Sequence, residues 1–253
     1  MVLEFKKVSF GYDDAPVLKD LTVSVPAGVT AVTGPNGTGK STFLLLASGR
    51  LLPNSGTILL EGKDTADLDE TERNRLCSLV FQNMEFETEE PLGPLLDFVL
   101  ANGFLKESEQ GLLKSVVETF ELGMLLSRPT SKLSKGEMQR AVMAFSLLYG
   151  SRVVVMDEPV FALESHQKQR ALEFICQYAR NTGTSFLYSA HDLDLNRAYS
   201  DRVFLFSKTA APQLGSAAAL LSRDSLEAAY QVPYSLLYQK EELHRAFLQE
   251  RRL

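Results

Sequence analysis

The strongest constraint on this chain is the run Gly34 to Thr42, which reads GPNGTGKST. It fits G-x-x-x-x-G-K-[ST], and its flanks fit as well: the apolar run Val29 to Thr33 reads as a strand entering it, and Phe43 to Ser48 as a helix leaving it. Glycines let successive backbone N–H groups close around phosphates at the positive end of a helix. In that frame Lys40 reaches the β- and γ-phosphates and Ser41 ligates Mg²⁺. Gly34, Pro35, Asn36, Gly37, Thr38, Gly39 and Thr42 complete the candidate nucleotide loop. The plain alternative is a glycine-rich turn opening a helix; the agreement of motif and context argues against it.

A second signal is VVVMDEP, Val153 to Pro159, an apolar strand ending in two carboxylates. Beside a phosphate loop, the acid after such a strand holds Mg²⁺, here Asp157. Glu158 then falls next to the γ-phosphate, where a base or an orienter for water is needed. Without the loop, the pair would read equally well as a strand followed by an acidic turn.

The rest of the chain supplies the frame. Val2 to Val8, Leu21 to Val25 and Thr57 to Leu60 read as strands, expected to be antiparallel edge elements. Val29 to Thr33, Val153 to Met156, Ser185 to Tyr188 and Val203 to Phe206 are short apolar runs suited to buried parallel strands. Between them lie helical patterns: Ala171, Phe174, Ile175 and Tyr178 share one face of a helix over His166 to Arg180. Strands alternating with helices predict an α/β fold. From Gln82 to Leu133 no strand is legible. Leu112 to Leu126 reads as helix, and Pro91, Gly93 and Pro94 as breaks before it. The expected organisation is one domain over 1–253, with a helical subdomain at 83–132 inserted in the α/β core and a helical tail at 221–253.

Composition narrows the function classes. With 45% hydrophobic and 23% charged residues the 253-residue chain is too apolar for disorder. A net charge of −6 argues against binding nucleic acid through bulk electrostatics. Cys77 and Cys176 read as buried small hydrophobes in a reducing compartment. No apolar run approaches the ~18 residues of a membrane span, and MVLEFKKVSF lacks a signal peptide's apolar region. A soluble, cytoplasmic chain is expected, so any work at a membrane requires another chain to hold it there.

Further motifs, in order, resemble those of the nucleotide-binding subunit of ATP-binding-cassette (ABC) transporters. Tyr12, in SFGY, resembles the aromatic that stacks on adenine. Gln82, in LVFQN, resembles the glutamine between the core and the helical subdomain. LSKGEMQR, Leu133 to Arg140, resembles the family signature, usually LSGGQ followed by a basic residue. His191, in YSAHD, resembles the switch histidine at the end of a strand. Taken alone, His191 reads as a core or loop histidine, and Ser134-x-x-Glu137 as a capping box.

The resemblance implies a P-loop ATPase core with an antiparallel β subdomain and an inserted helical subdomain. It implies ATP and Mg²⁺ as ligands, with Ser41, Gln82 and Asp157 on the metal. Glu158 would polarise the attacking water, and His191 would hold it in line with the γ-phosphate. Ser134 and the N–H of Gly136 would contact ATP bound to a second subunit, so the site would be completed in a homodimer that closes on ATP. The chain would sit at the inner face of the cell membrane. Integral permease subunits would dock near Gln82 to Leu92, where Met84, Phe86 and Leu92 are apolar anchors among carboxylates. The short insert and the tail LSRDSLEAAYQVPY suggest importers of cobalamin, haem and ferric siderophores. The sequence departs from the family at Lys135, Glu137, Phe161 and Glu164. Two other readings stay open: an ABC ATPase that serves no transporter, and an ATP-binding regulatory subunit with little hydrolysis.

Overall fold

The computed structural model describes residues 1–13, 15–82, 84, 88–105 and 111–237. The chain runs β1 (Leu3–Tyr12), β2 (Ala15–Val25), β3 (Val29–Thr33), α1 (Lys40–Ala47), β4 (Ser55–Leu60), β5 (Lys63–Asp64), α2 (Glu70–Leu76) and β6 (Cys77–Val80). It continues with α3 (Leu92–Asn102), α4 (Leu112–Thr119), α5 (Lys135–Tyr149), β7 (Val153–Met156), α6 (Ser165–Thr182) and β8 (Ser185–Ser189). The last elements are α7 (Leu193–Tyr199), β9 (Arg202–Leu205), β10 (Gln213–Gly215), α8 (Ala217–Leu220) and α9 (Arg223–Tyr230).

The short apolar runs form the middle of a six-stranded sheet in the order β10-β9-β3-β8-β7-β6. Its strands are parallel except β10, which is antiparallel to β9. Both faces of this sheet are covered, so β3, β7 and β8 are buried at every residue. Successive side chains enter two separate cores. Val154, Met156, Phe186, Tyr188, Val203 and Leu205 face α5, α6 and the C-terminal helices. Val153, Val155, Leu187, Phe204 and Phe206 face α1 and the antiparallel sheet. That second sheet has the order β2-β1-β4-β5. Phe5 from it meets Phe43 of α1 with ring centroids 4.9 Å apart, and Phe43 meets Phe204 at 4.7 Å. The fold is thus the P-loop ATPase α/β core with an antiparallel sheet and inserted helices.

Three local expectations need correction. β6 was not legible as a strand, because Cys77-Ser78-Leu79-Val80 is short and diluted by a serine; it pairs with β7 at the sheet edge. Pro91, Gly93 and Pro94, expected as breaks, instead start a helix: Pro91 is the N-cap of α3, and Gly93 and Pro94 lie in its first turn. Proline is tolerated in a first turn, where its missing N–H has no intrahelical partner to lose. The helix expected over Leu112 to Leu126 stops at Thr119, with a 3-10 turn at Gly123–Leu125. Its end carries the two hydrogen bonds of a Schellman motif: Leu122 N–H to Val117 O at 2.9 Å and Glu121 N–H to Glu118 O at 3.3 Å. The left-handed position is Glu121, at φ 54°, where glycine is usual, so the stop signal was hidden. The Glu121 carboxylate compensates by gathering Arg140 of α5 at 3.1 Å and Arg170 of α6 at 3.4 Å. It also accepts from Gln167 at 2.8 Å.

Cys77 and Cys176 are free and buried, and burial pushes their thiols up to about 12 and about 11. Among the described residues no helix is long and apolar enough to cross a membrane. In the tail, Ser222 caps α9 and Gln231 ends it in the left-handed conformation. Tail residues 238–253 lie outside the described residues.

Candidate functional site

The carboxyl ends of four neighbouring parallel strands bring the expected residues together. In sheet order, β3 delivers the phosphate loop, β8 delivers His191, β7 delivers Asp157 and Glu158, and β6 delivers Gln82. Ligands bind at such carboxyl edges because helices start there and the loops diverge.

In the phosphate loop, Gly34 and Pro35 are buried, Asn36 and Gly37 exposed, and Thr38 and Gly39 half-buried. A Cβ at Gly34, which sits at φ +139°, would lie 2.5 Å from Phe206 O. One at Gly39, at φ +96°, would lie 2.7 Å from Val17 Cγ1. Only glycine fits these two positions. Thr38 Oγ1 donates to Pro35 O at 2.8 Å and tightens the turn. Lys40 opens α1 and is folded back over the loop, its Nζ donating to Gly34 O at 2.9 Å and Pro35 O at 3.0 Å. Burial lowers its pKa, while the charges of Glu158 and Asp157 oppose that shift. Ser41 is exposed and Thr42 buried on the same helix turn.

Glu158 is the centre of the second half of the site. Its Oε2 accepts from Gln82 Nε2 at 2.9 Å, and its Oε1 lies 2.8 Å from His191 Nε2. The hydrogen bond from His191 holds its carboxyl below the usual range; burial opposes this, and the charges of His191 and Lys40 add to it. Glu158 also has φ 50°, a left-handed conformation that costs a non-glycine residue about 1–3 kcal/mol. Asp157 is fixed by its N–H to Val80 O at 2.8 Å. Ser189 Oγ donates to Asp157 Oδ1 at 2.5 Å and accepts from Glu158 N–H at 2.8 Å. Sequence reasoning missed Ser189. It reads as filler in a buried strand, and its partner Asp157 is 32 residues away.

Tyr12 ends β1, is 47% exposed, and packs edge-to-face on Phe10 with centroids 5.0 Å apart. It pairs across the hairpin with Ala15, next to Pro16. Pro16 lines a cleft of about 390 Å³ beside the phosphate loop, with Val17, Asn36, Thr38 and Lys208.

Ser134 and Gly136 do not join this cluster through any hydrogen bond among the described residues. Ser134 caps α5, with Ser134 N–H to Glu137 Oε2 at 2.7 Å and Glu137 N–H to Ser134 Oγ at 3.3 Å. Glutamate serves this capping box as well as the family's glutamine does, so Glu137 keeps the local geometry. Burial raises the Glu137 pKa, but the Ser134 hydrogen bonds and Arg128, 3.0 Å away, outweigh it and lower the net value. Lys135 is exposed in the first turn. Gly136 adjoins the loop after Glu158: a Cβ there would lie 3.0 Å from Ala162 O. Glu164 is the N-cap of α6. Of the expected docking run, Asn83, Glu85, Phe86 and Glu87 lie outside the described residues. Met84 is 41% exposed, but Leu92 is fully buried in the core at the start of α3 and is therefore no surface anchor.

Comparison with known proteins gives the chain its family. The family model described as ABC transporter matches residues 18–161. The putative HMP/thiamine import ATP-binding protein YkoD of Bacillus subtilis is 33% identical over 88% of this chain and 41% of its own length. The nickel import ATP-binding protein NikO of Rhodobacter capsulatus is 32% identical over 88% of this chain and 92% of its own. The solved structure of cbiO1 from Clostridium perfringens, part of the ABC transporter complex cbiONQ, shares the fold at a TM-score of 0.73. It is 24% identical and covers 88% of this chain and 92% of its own. The chain belongs to the ABC transporter family, as an ATP-binding subunit related to importer ATPases for metals and vitamins.

Proposed function

We propose that this chain hydrolyses ATP with Mg²⁺ and that hydrolysis drives a membrane importer for a metal ion or a vitamin-like small molecule. The observation that carries the reading is the arrangement Gln82–Glu158–His191 beside Lys40 and Asp157. It supplies the parts that phosphoryl transfer needs, which are mainly positioning and charge. Lys40 leaves the carbonyls of Gly34 and Pro35 for the β- and γ-phosphates. Glu158 is a carboxylate held charged, suited to orient and polarise a water. Each of its oxygens holds one partner and keeps a further lone pair, so Glu158 can accept a water proton while Gln82 and His191 keep it in place.

The donor set suits Mg²⁺. Ser41 offers a hydroxyl, Asp157 a carboxylate and Gln82 an amide carbonyl, all hard oxygen donors. Among the described residues no three His, Cys, Asp or Glu side chains stand together as a metal cluster. One carboxylate, a hydroxyl and substrate phosphates is how Mg²⁺ is ordinarily held. When bound, the ion offsets charge on the phosphate oxygens.

Ser134 and Gly136 would serve the ATP of a second copy. Their helix start favours anions, and its contact with the Ala162 loop would carry the state of Glu158 to the neighbour. The permease would dock beside Gln82, where its chain neighbours Phe81 and Met84 are exposed apolar residues. Two departures add charge at the signature: Glu137 is taken up by the capping box and Arg128, and the exposed Lys135 does not disturb that box.

The direct test is phosphate release by the purified chain. Steady ATP turnover with Mg²⁺, abolished by EDTA, is expected; ATP binding without turnover would favour the regulatory reading. A second measurement concerns Tyr12. Stacking on a base contributes about 1–3 kcal/mol, so Tyr12→Ala is expected to weaken ATP binding roughly 5- to 150-fold while Tyr12→Phe stays mild. Equal affinities for wild type and Tyr12→Ala would put the adenine elsewhere.

A further inference from the structure

Ser189 is the last residue of β8 and is completely buried. Its hydroxyl contacts both carboxylate residues at once, at 2.5 Å from Asp157 Oδ1 and 2.8 Å from Glu158 N. The direction of these bonds is fixed by chemistry. A backbone N–H can only donate, so the hydroxyl accepts there and spends its single proton on Asp157. Asp157 is thereby held at two atoms, since its own N–H is bonded to Val80 O. The bond to Oδ1 fixes the rotation of the carboxylate, which keeps further lone pairs on both oxygens to present to a cation. Glu158 benefits separately. A left-handed backbone at a non-glycine residue persists only where the surroundings over-determine it, and the Ser189 hydroxyl is a partner for the N–H that this conformation turns inward.

We propose that Ser189 is a positioning residue that sets both carboxylates together: it rotates Asp157 toward the metal and pins Glu158 in the backbone conformation that carries its side chain to Gln82 and His191. The inference rests on the proposed Mg²⁺-dependent hydrolysis. Partners of a metal-binding group that lie behind it typically carry about 10- to 100-fold in metal affinity or activity.

The test measures the affinity of N-methylanthraniloyl-ATP by fluorescence, once with Mg²⁺ and once with EDTA, alongside ATP turnover. Ser189→Ala is expected to reduce turnover and the Mg²⁺-dependent gain in affinity by about 10- to 100-fold, with the EDTA affinity unchanged. Ser189→Thr, which keeps the hydroxyl, is expected to retain more of that gain. In an Asp157→Asn background, Ser189→Ala is expected to change the gain no further. If Ser189→Ala does not fold, Ser189→Cys, a weak donor of similar size, replaces it with the same expectations. The inference is overturned if the variant keeps the full Mg²⁺-dependent gain, if affinity falls equally in EDTA, or if the effect persists beside Asp157→Asn. A wild type with no Mg²⁺-dependent gain overturns the functional reading itself, and the role of Ser189 with it.

Discussion

Glu158→Gln is expected to bind ATP as the wild type does and to turn it over at least ~100-fold more slowly, the scale of a lost general base. Glutamine keeps the size of the side chain between Gln82 and His191 but removes the charge. In the wild type that charge is secured. The His191 hydrogen bond lowers the Glu158 pKa, against burial and with help from Lys40. A depressed carboxylate keeps its contribution above its ordinary value and loses it as the pH falls through the lowered one, so Glu158→Gln imitates the acid limb at neutral pH. Phosphate release measures the rate, and gel filtration with ATP shows whether the variant accumulates as a dimer, as expected when closure is not followed by hydrolysis. Turnover near the wild-type rate would remove Glu158 from this role.

Mixing two inactive variants is expected to restore activity. Lys40→Ala removes the buried ammonium from the phosphate loop. Ser134→Arg removes the α5 cap and fills the start of that helix with a long side chain. Losing such a cap costs about 1 kcal/mol, which a domain of this size tolerates, and circular dichroism checks it. In a mixed dimer one site combines an intact loop from one copy with an intact signature from the other. A titration of one variant into the other should give a maximum in ATP turnover near equal amounts. No recovery at any ratio, with mixed dimers demonstrated, would mean that each copy completes its own site.

The sequence was most legible where physics allows few solutions. The phosphate loop demanded glycine at Gly34 and Gly39, a strand before it and a helix after it, and all three are present. The buried strands were legible because both faces of the parallel sheet are covered, which makes them short and mostly apolar runs. What stayed hidden was settled by distant partners. β6 is a strand because β7 offers it an edge. Helix α4 ends at Thr119 with Glu121 in the left-handed position after it, a residue with no stop signal of its own, whose carboxylate meets arginines from α5 and α6. Ser189 matters only through Asp157 and Glu158, which reach it from the next strand. The resemblance to a family located Tyr12, Gln82 and His191, which no spacing rule would have singled out.

The alternation of side chains between two cores makes the central strands intolerant of changes in length. Adding or deleting one residue within Val153–Met156 would exchange the occupants of both cores in that strand, and it would also shift Asp157 and Glu158 relative to Ser189 and Gln82. A point substitution there trades one side chain; a single-codon insertion disrupts packing and chemistry together. Length variation among related chains should therefore gather in the turns of the antiparallel sheet and in the helical insert, and be absent from β3, β7 and β8.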